Sequence, residues 1–323
     1  MRLLARLGAS VLLCSLLAGC AALRPPAAKA EAPYTVEWIR QLGTSRDDYG
    51  WGISADGLGN VYIGGRTEGS LGGLNAGGMD AFVSKFDAAG NLLWTQQLGT
   101  SSTDYCKDVS ADGLGNVFVS GYTAGSLGGA NAGGKGAFVS KFDAAGNLLW
   151  TQQLGTPRTD FAYGVSVDGL GHVYISGYTY GSLGGPNAGD MDAFVSKYDA
   201  AGNLLWTQQL GTSDCDTSRG VSVDGLGNVY ISGTTGGSLG GPNAGASDAF
   251  VSKYDAAGNL LWTQQLGTPR TDSAYGVSAD GLGNVFVSGE TYGSLGGPNA
   301  GDMDAFVSKY DAAGNLLWTQ QLG

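Results

Sequence analysis

Five aspartates occupy one offset of a repeating chain: Asp48, Asp104, Asp160, Asp216 and Asp272, each 56 residues after the last. Carboxylates gathered around one point repel each other, and a cation such as Ca2+ relieves that repulsion by accepting their oxygens as ligands. Ca2+ is the one cofactor this sequence leaves open, and it assigns no metal. The same five could instead accept hydrogen bonds from their own loops, as aspartate does in turns. Arg46, Arg158 and Arg270, two residues earlier, could neutralise three of them. Carboxylates alone can hydrolyse glycosidic bonds, but that chemistry needs a pair in unlike environments. Five aspartates in near-identical loops lack the asymmetry.

Other catalytic sets are harder to assemble. His172 is the sole histidine and takes a turn position held by asparagine in the other copies, so no Ser-His-Asp or Cys-His arrangement follows. The glycine-rich stretch at 181–185 lacks the Gly-Lys-Ser/Thr of a phosphate loop. Near the aspartates stand aromatics: Tyr49, Trp51, Tyr105, Phe161, Tyr163, Tyr180, Tyr275 and Tyr292. Flat amphipathic rings beside carboxylates suit a glycan or a protein partner. These segments also differ between copies (SRDDYGW, SSTDYCK, PRTDFAY, SDCDTSR, PRTDSAY), whereas the turns DGLGN and DAAGN are almost constant. A scaffold that is kept while one surface varies is the pattern of a binding face.

The elements that carry these residues follow from the repeat itself. The thirteen residues DAAGNLLWTQQLG recur unchanged at 87–99, 143–155, 199–211, 255–267 and 311–323. In the third copy, Val165–Val167, Val173–Gly177, Ala193–Tyr198 and Leu204–Leu210 are strand-sized runs. Gly, Asp and Asn turns separate them, and no helical periodicity intervenes. Four antiparallel strands per unit at this period describe β-propeller blades. The predicted fold class is all-β: a five-bladed β-propeller of 56-residue four-stranded blades, with repeats 44–99, 100–155, 156–211, 212–267 and 268–323. The small first run fits the crowded axis. The fourth suits the rim, and burial of its tryptophan and two leucines would contribute about 5–8 kcal/mol per blade before entropy is subtracted.

The segments DGLGNVYISGYT and DAFVSKYDAAGNLLWTQQLG resemble the bacterial beta-propeller repeat (SBBP) family across residues 34–323. The resemblance implies the fold and says almost nothing of activity. A sixth, looser relative of the fourth run, VEWIRQLG at 36–43, precedes the first blade. The expectation is a closed five-bladed monomer in which this segment adds an extra strand to the last blade.

Residues 1–19 read as a signal peptide: Arg2 and Arg6 precede an apolar run too short to span a bilayer. LAGC at 17–20 resembles the lipobox of bacterial lipoproteins, which implies cleavage before Cys20 and lipid attachment there. Ala21, not Asp, follows, so the resemblance implies the outer membrane, facing the periplasm or the surface. Residues 20–33 are an Ala/Pro-rich tether and 34–323 the propeller. Removing residues 1–19 moves the net charge from −11 to about −13, and such acidity disfavours nucleic acid. Cys106 and Cys215 stand at different offsets and are expected to be free thiols. The leading functional expectation is a non-enzymatic binding or scaffold module, lipid-anchored to the envelope membrane, that takes a glycan or an envelope protein. A polysaccharide hydrolase and a purely structural envelope protein are the alternatives.

Overall fold

The computed structural model describes residues 36–323. The signal, Cys20 and the tether lie outside the described residues. The chain divides into two units, Met1–Ile39 and Arg40–Gly323, and among the described residues the second carries all the strands. The first sheet runs β1 (Asp48–Ala55), β2 (Val61–Thr67), β3 (Asp80–Phe86) and β4 (Leu92–Leu98). Each strand pairs antiparallel with the next. Four further sheets repeat this order, namely β5–β8 (104–154), β9–β12 (160–210), β13–β16 (216–266) and β17–β20 (272–322).

Each hairpin between the first and second strands is locked by its aspartate. Asp56 Oδ1 accepts the N–H groups of Leu58 and Asn60, both at 2.9 Å, and the Tyr62 hydroxyl donates to Oδ2 at 3.0 Å. His172 simply takes over the asparagine's part, with Nδ1 2.8 Å from Asp168 Oδ2. The sole histidine is therefore a turn residue.

Neighbouring sheets stack in chain order, first strand against first strand. Side chains of the second and third strands fill the space between them. Between the third and fourth sheets, Tyr174, Ala193 and Val195 meet Ile231, Phe250 and Tyr254, all at most 2% exposed. Fully burying each larger apolar side chain stabilises by roughly 1.5–3 kcal/mol. Four such clusters join the five sheets.

The invariant thirteen residues have a structural cause. Trp94 Nε1 and Lys85 Nζ both donate to Ala144 O, at 3.2 and 3.1 Å, in the last turn of the following sheet. Gly146 in that turn has φ of +87°, and a Cβ there would lie 2.9 Å from the Trp94 ring. The rim strand of one sheet thus clamps the turn of the next, and both partners must be kept together. The lysines at 85, 197 and 253 are buried at these joints. The leucines behave otherwise: Leu204 and Leu205 are 47% and 49% exposed. Because sheets that converge at the axis diverge at the rim, the fourth strands bury less than the sequence suggested.

Two expectations about closure do not hold. Val36–Gly43 forms no strand, and Arg40 Nε donates to Gly90 O at 2.8 Å in the first sheet's turn, not to the fifth sheet. The last sheet already has its fourth strand, β20 (Leu316–Leu322), paired with β19 (Asp304–Tyr310), so no place for an extra one is needed. Nor do the end sheets stack on each other as a closed ring requires. Ile53 is 72% exposed where its counterpart Val109 is 3% exposed. Ala305 is exposed where Ala249 is buried. Close packing at the four internal joints fixes the angle between sheets, and five steps at that angle leave the end faces uncovered. The propeller is an open arc.

Candidate binding face at the start of the axial strands

The pairings Asp48↔Thr67, Thr67↔Asp80 and Ala81↔Leu98 bring the fourth-to-first and second-to-third connections to one end of every sheet. The copy-to-copy variation therefore collects on a single face, as the sequence predicts.

The five aspartates are on that face but do not form a rim. Asp104, Asp160, Asp216 and Asp272 are fully buried, and each is tied to its own loop. Asp104 Oδ2 accepts the Thr100 N–H at 2.7 Å and its hydroxyl at 2.9 Å, while Oδ1 accepts the Thr123 hydroxyl. Asp48 likewise accepts the Thr44 N–H at 2.5 Å. Burial raises the carboxyls of Asp160 and Asp216, against the pull of their threonine donors. Among the described residues no three carboxylate, histidine or cysteine side chains gather to hold a metal. Each of these aspartates thus locks its own loop through donors of its own copy.

What the face does gather is aromatic and cationic. In every first strand the ladder slips by one residue after the third position: Gly50↔Gly65 is followed by Gly52↔Gly64, which leaves Trp51 unpaired. The same β-bulge leaves out Lys107, Tyr163, Arg219 and Tyr275. Its cause is the glycine of the second strand. A Cβ on Gly65 would lie 1.7 Å from Tyr49 O and one on Gly121 1.7 Å from Tyr105 O, so the bulged backbone needs a glycine opposite it. Bulges re-aim side chains, and here each sheet sends one residue towards its neighbours'.

These five residues alternate in kind and touch in order. Lys107 Nζ sits 3.8 Å from the Trp51 ring centroid and 5.7 Å from that of Tyr163. The Arg219 guanidinium sits 5.6 Å from Tyr163 and 5.1 Å from Tyr275. Beside them runs a continuous line of rings: Tyr49–Trp51 (6.0 Å), Trp51–Tyr105 (5.7 Å), Tyr105–Tyr122 (4.7 Å) and Tyr122–Phe161 (4.7 Å). It continues through Phe161–Tyr178 (5.0 Å) to Tyr180 (6.1 Å). A shallow depression lined by Lys135, Arg158, Phe161 and Tyr180 flanks it.

Of the aromatics singled out from sequence, Tyr49, Trp51, Tyr105, Phe161, Tyr163 and Tyr180 join this line, and Tyr275 is linked through Arg219. Tyr292 stands apart, beside Arg270 in a second depression. Tyr122, Tyr178 and the cations Arg66, Lys107, Lys135 and Arg219 escaped the sequence reading. The spacing 51, 107, 163, 219, 275 would have found two of the cations, since it is constant at 56. Arg66 and Lys135 carry no such signal, because their counterparts in other copies are uncharged or acidic.

The beta-propeller repeat family profile matches residues 37–72, 93–128, 149–185, 205–241 and 261–297, more than half of the chain. The chain is 28% identical over 235 residues to the regulatory protein FlaEY of Caulobacter vibrioides, covering 66% of this chain and 24% of that protein. It is 26% identical over 234 residues to an uncharacterized WD repeat-containing protein of Acanthamoeba polyphaga mimivirus, covering 56% and 17%. The chain thus spans about a quarter or less of these relatives. Among solved structures, a gluconolactonase from Xanthomonas campestris aligns at 13% identity with a TM-score of 0.46, over 86% of this chain and 77% of that one. A calcium-binding regucalcin from Agrobacterium tumefaciens aligns at 12% with a TM-score of 0.41, over 84% and 74%. At that level neither bears on activity.

Proposed function

Because the chain belongs to the beta-propeller repeat family, we propose that it is a non-enzymatic binding module whose variable face holds a glycan. The reading rests above all on the line of ring contacts from Tyr49 to Tyr180. Tyrosine and tryptophan offer the apolar faces of sugars a rigid platform at small entropic cost. Rings that already pack on one another are held in place before a ligand arrives, which lowers the cost of binding. Against a hydrolase stands the placing of Asp104, Asp160, Asp216 and Asp272, which are buried in their own loops. We place the module on the envelope through a lipid on Cys20, by the lipobox resemblance alone.

The test is an oligosaccharide array probed with the mature domain and with a Trp51→Ala/Tyr163→Ala double variant. At least one saccharide is expected to bind, with about tenfold or greater loss in the variant at unchanged folding temperature. Failure to bind any saccharide would refute the reading. For the anchor, palmitate labelling of the expressed precursor should vanish in Cys20→Ser.

A further inference from the structure

The charges of the face point further than its rings do. Four cations meet there: Arg66, Lys107, Lys135 and Arg219. None is ion-paired with a carboxylate among the described residues, although the chain as a whole carries a net charge of −11. Lys107 is their hub. It shares Trp51 and Tyr105 with Arg66, Tyr122 with Lys135, and Tyr163 with Arg219. Like charges crowded this way cost free energy unless something neutralises them, and the rings of the site return only part of it.

Two anions near the face are engaged elsewhere. Asp108 follows Lys107, but its side chain turns to the neighbouring sheet, where it accepts the Val165 N–H at 2.9 Å. Glu290 accepts the Tyr275 hydroxyl at 2.5 Å. Arg66 adds an independent sign. Its guanidinium lies 4.4 Å from the Tyr49 ring, and one terminal nitrogen donates to the Tyr105 hydroxyl at 2.6 Å and contacts the Met79 sulfur. Its Nε–H is buried and has no acceptor. An unmet guanidinium donor is costly, and a carboxylate is the acceptor whose shape fits it best. The crowding shows in Lys107 too: burial first, then the positive charge of Arg66, lowers its ammonium below the usual lysine range.

We infer that the ligand of this face is an acidic saccharide, a chain of sugars bearing carboxylates. The sugar faces stack on Trp51 and Tyr163 while Arg66, Lys107 and Arg219 take the carboxylates. Alternation of ring and cation along the five bulges matches a polymer in which an apolar ring face and a charge recur on every residue. This rests on the glycan reading above and adds its charge.

The probes are oligogalacturonate, its neutral methyl ester and inorganic phosphate, each titrated by calorimetry into the mature domain. The acid should bind at least tenfold more tightly than the ester, and salt should weaken it because screened charges attract less. Lys107→Gln/Arg219→Gln should lose at least tenfold for the acid and little for the ester. Lys107→Arg, which keeps the charge, should retain binding, and this separates loss of charge from loss of fold. Equal affinity for acid and ester would overturn the inference and leave the glycan reading standing. Phosphate competing as well as the acid would overturn the saccharide part of it. Absence of binding by both saccharides would count against the inference and the broader reading alike.

Discussion

Three glycines in two neighbouring turns of the third sheet separate the two demands that the rim clamp makes. Gly169 has an ordinary φ, and a Cβ there would meet nothing within 4 Å. Gly171 has φ of +82°, with the nearest atom Ala200 Cβ at 3.3 Å. Gly202 has φ of +87°, and its Cβ would stand 2.9 Å from the Trp150 ring. Gly169→Ala should therefore be neutral or stabilise slightly, by reducing the freedom of the unfolded chain. Gly171→Ala should cost about 1–2 kcal/mol, the penalty of a Cβ in the left-handed region. Gly202→Ala adds a displaced tryptophan, whose Nε1 now donates to Ala200 O at 3.3 Å. A lost hydrogen bond of about 1 kcal/mol and local overpacking bring the total to roughly 3–4 kcal/mol. Urea unfolding at 25 °C, read by midpoint at constant slope, orders the three. If Gly202→Ala cost no more than Gly171→Ala, the tryptophan would not be resting on that turn, and the explanation of the invariant segment would fail.

Burial pushes the Asp108 carboxyl up to about 6, against the opposing pull of the Val165 and Val109 N–H groups. Its value in the unfolded chain is about 3.9, so the folded state holds the proton more tightly. The resulting stability is full below about pH 4 and is lost as pH rises through about 6, on the order of 3 kcal/mol in all. Wild type should thus weaken between pH 4 and pH 7 relative to Asp108→Asn, and parallel unfolding curves of the two across that range would refute it. Cys106 is buried, with its thiol pushed up by that burial, whereas Cys215 is exposed. A thiol reagent should label Cys215 in the folded domain within minutes and Cys106 only after denaturant is added. Equal labelling of both would contradict the packing.

The architecture was legible because its signals are local and repeated. Asp56, Gly59 and Asn60 specify a turn by their own chemistry, and the 56-residue period multiplies the signal fivefold. The open arc was not legible. Whether Ile53 meets Phe286 depends on an angle summed over four joints, and no residue type encodes that sum. The aspartates left two readings open for a related reason: a shared offset shows equivalence, while Thr100 and Thr123 decide that Asp104 turns inward. The aromatics were found by type. The cations were passed over because Lys107 and Arg219 have aromatic counterparts, and only the bulge reveals that all five positions converge.

One consequence of the clamp reaches beyond stability. Every seam between adjacent blades is cut to the same template: an indole and an ammonium from one side, an alanine carbonyl and a bare glycine from the other. Units joined by interchangeable fittings can be inserted or deleted whole, since each new seam is one the chain already knows how to make. Blade number is then free to change by duplication or loss of 56 residues, while each bulge residue changes singly. Such a chain can lengthen its binding surface and retune it by independent genetic steps.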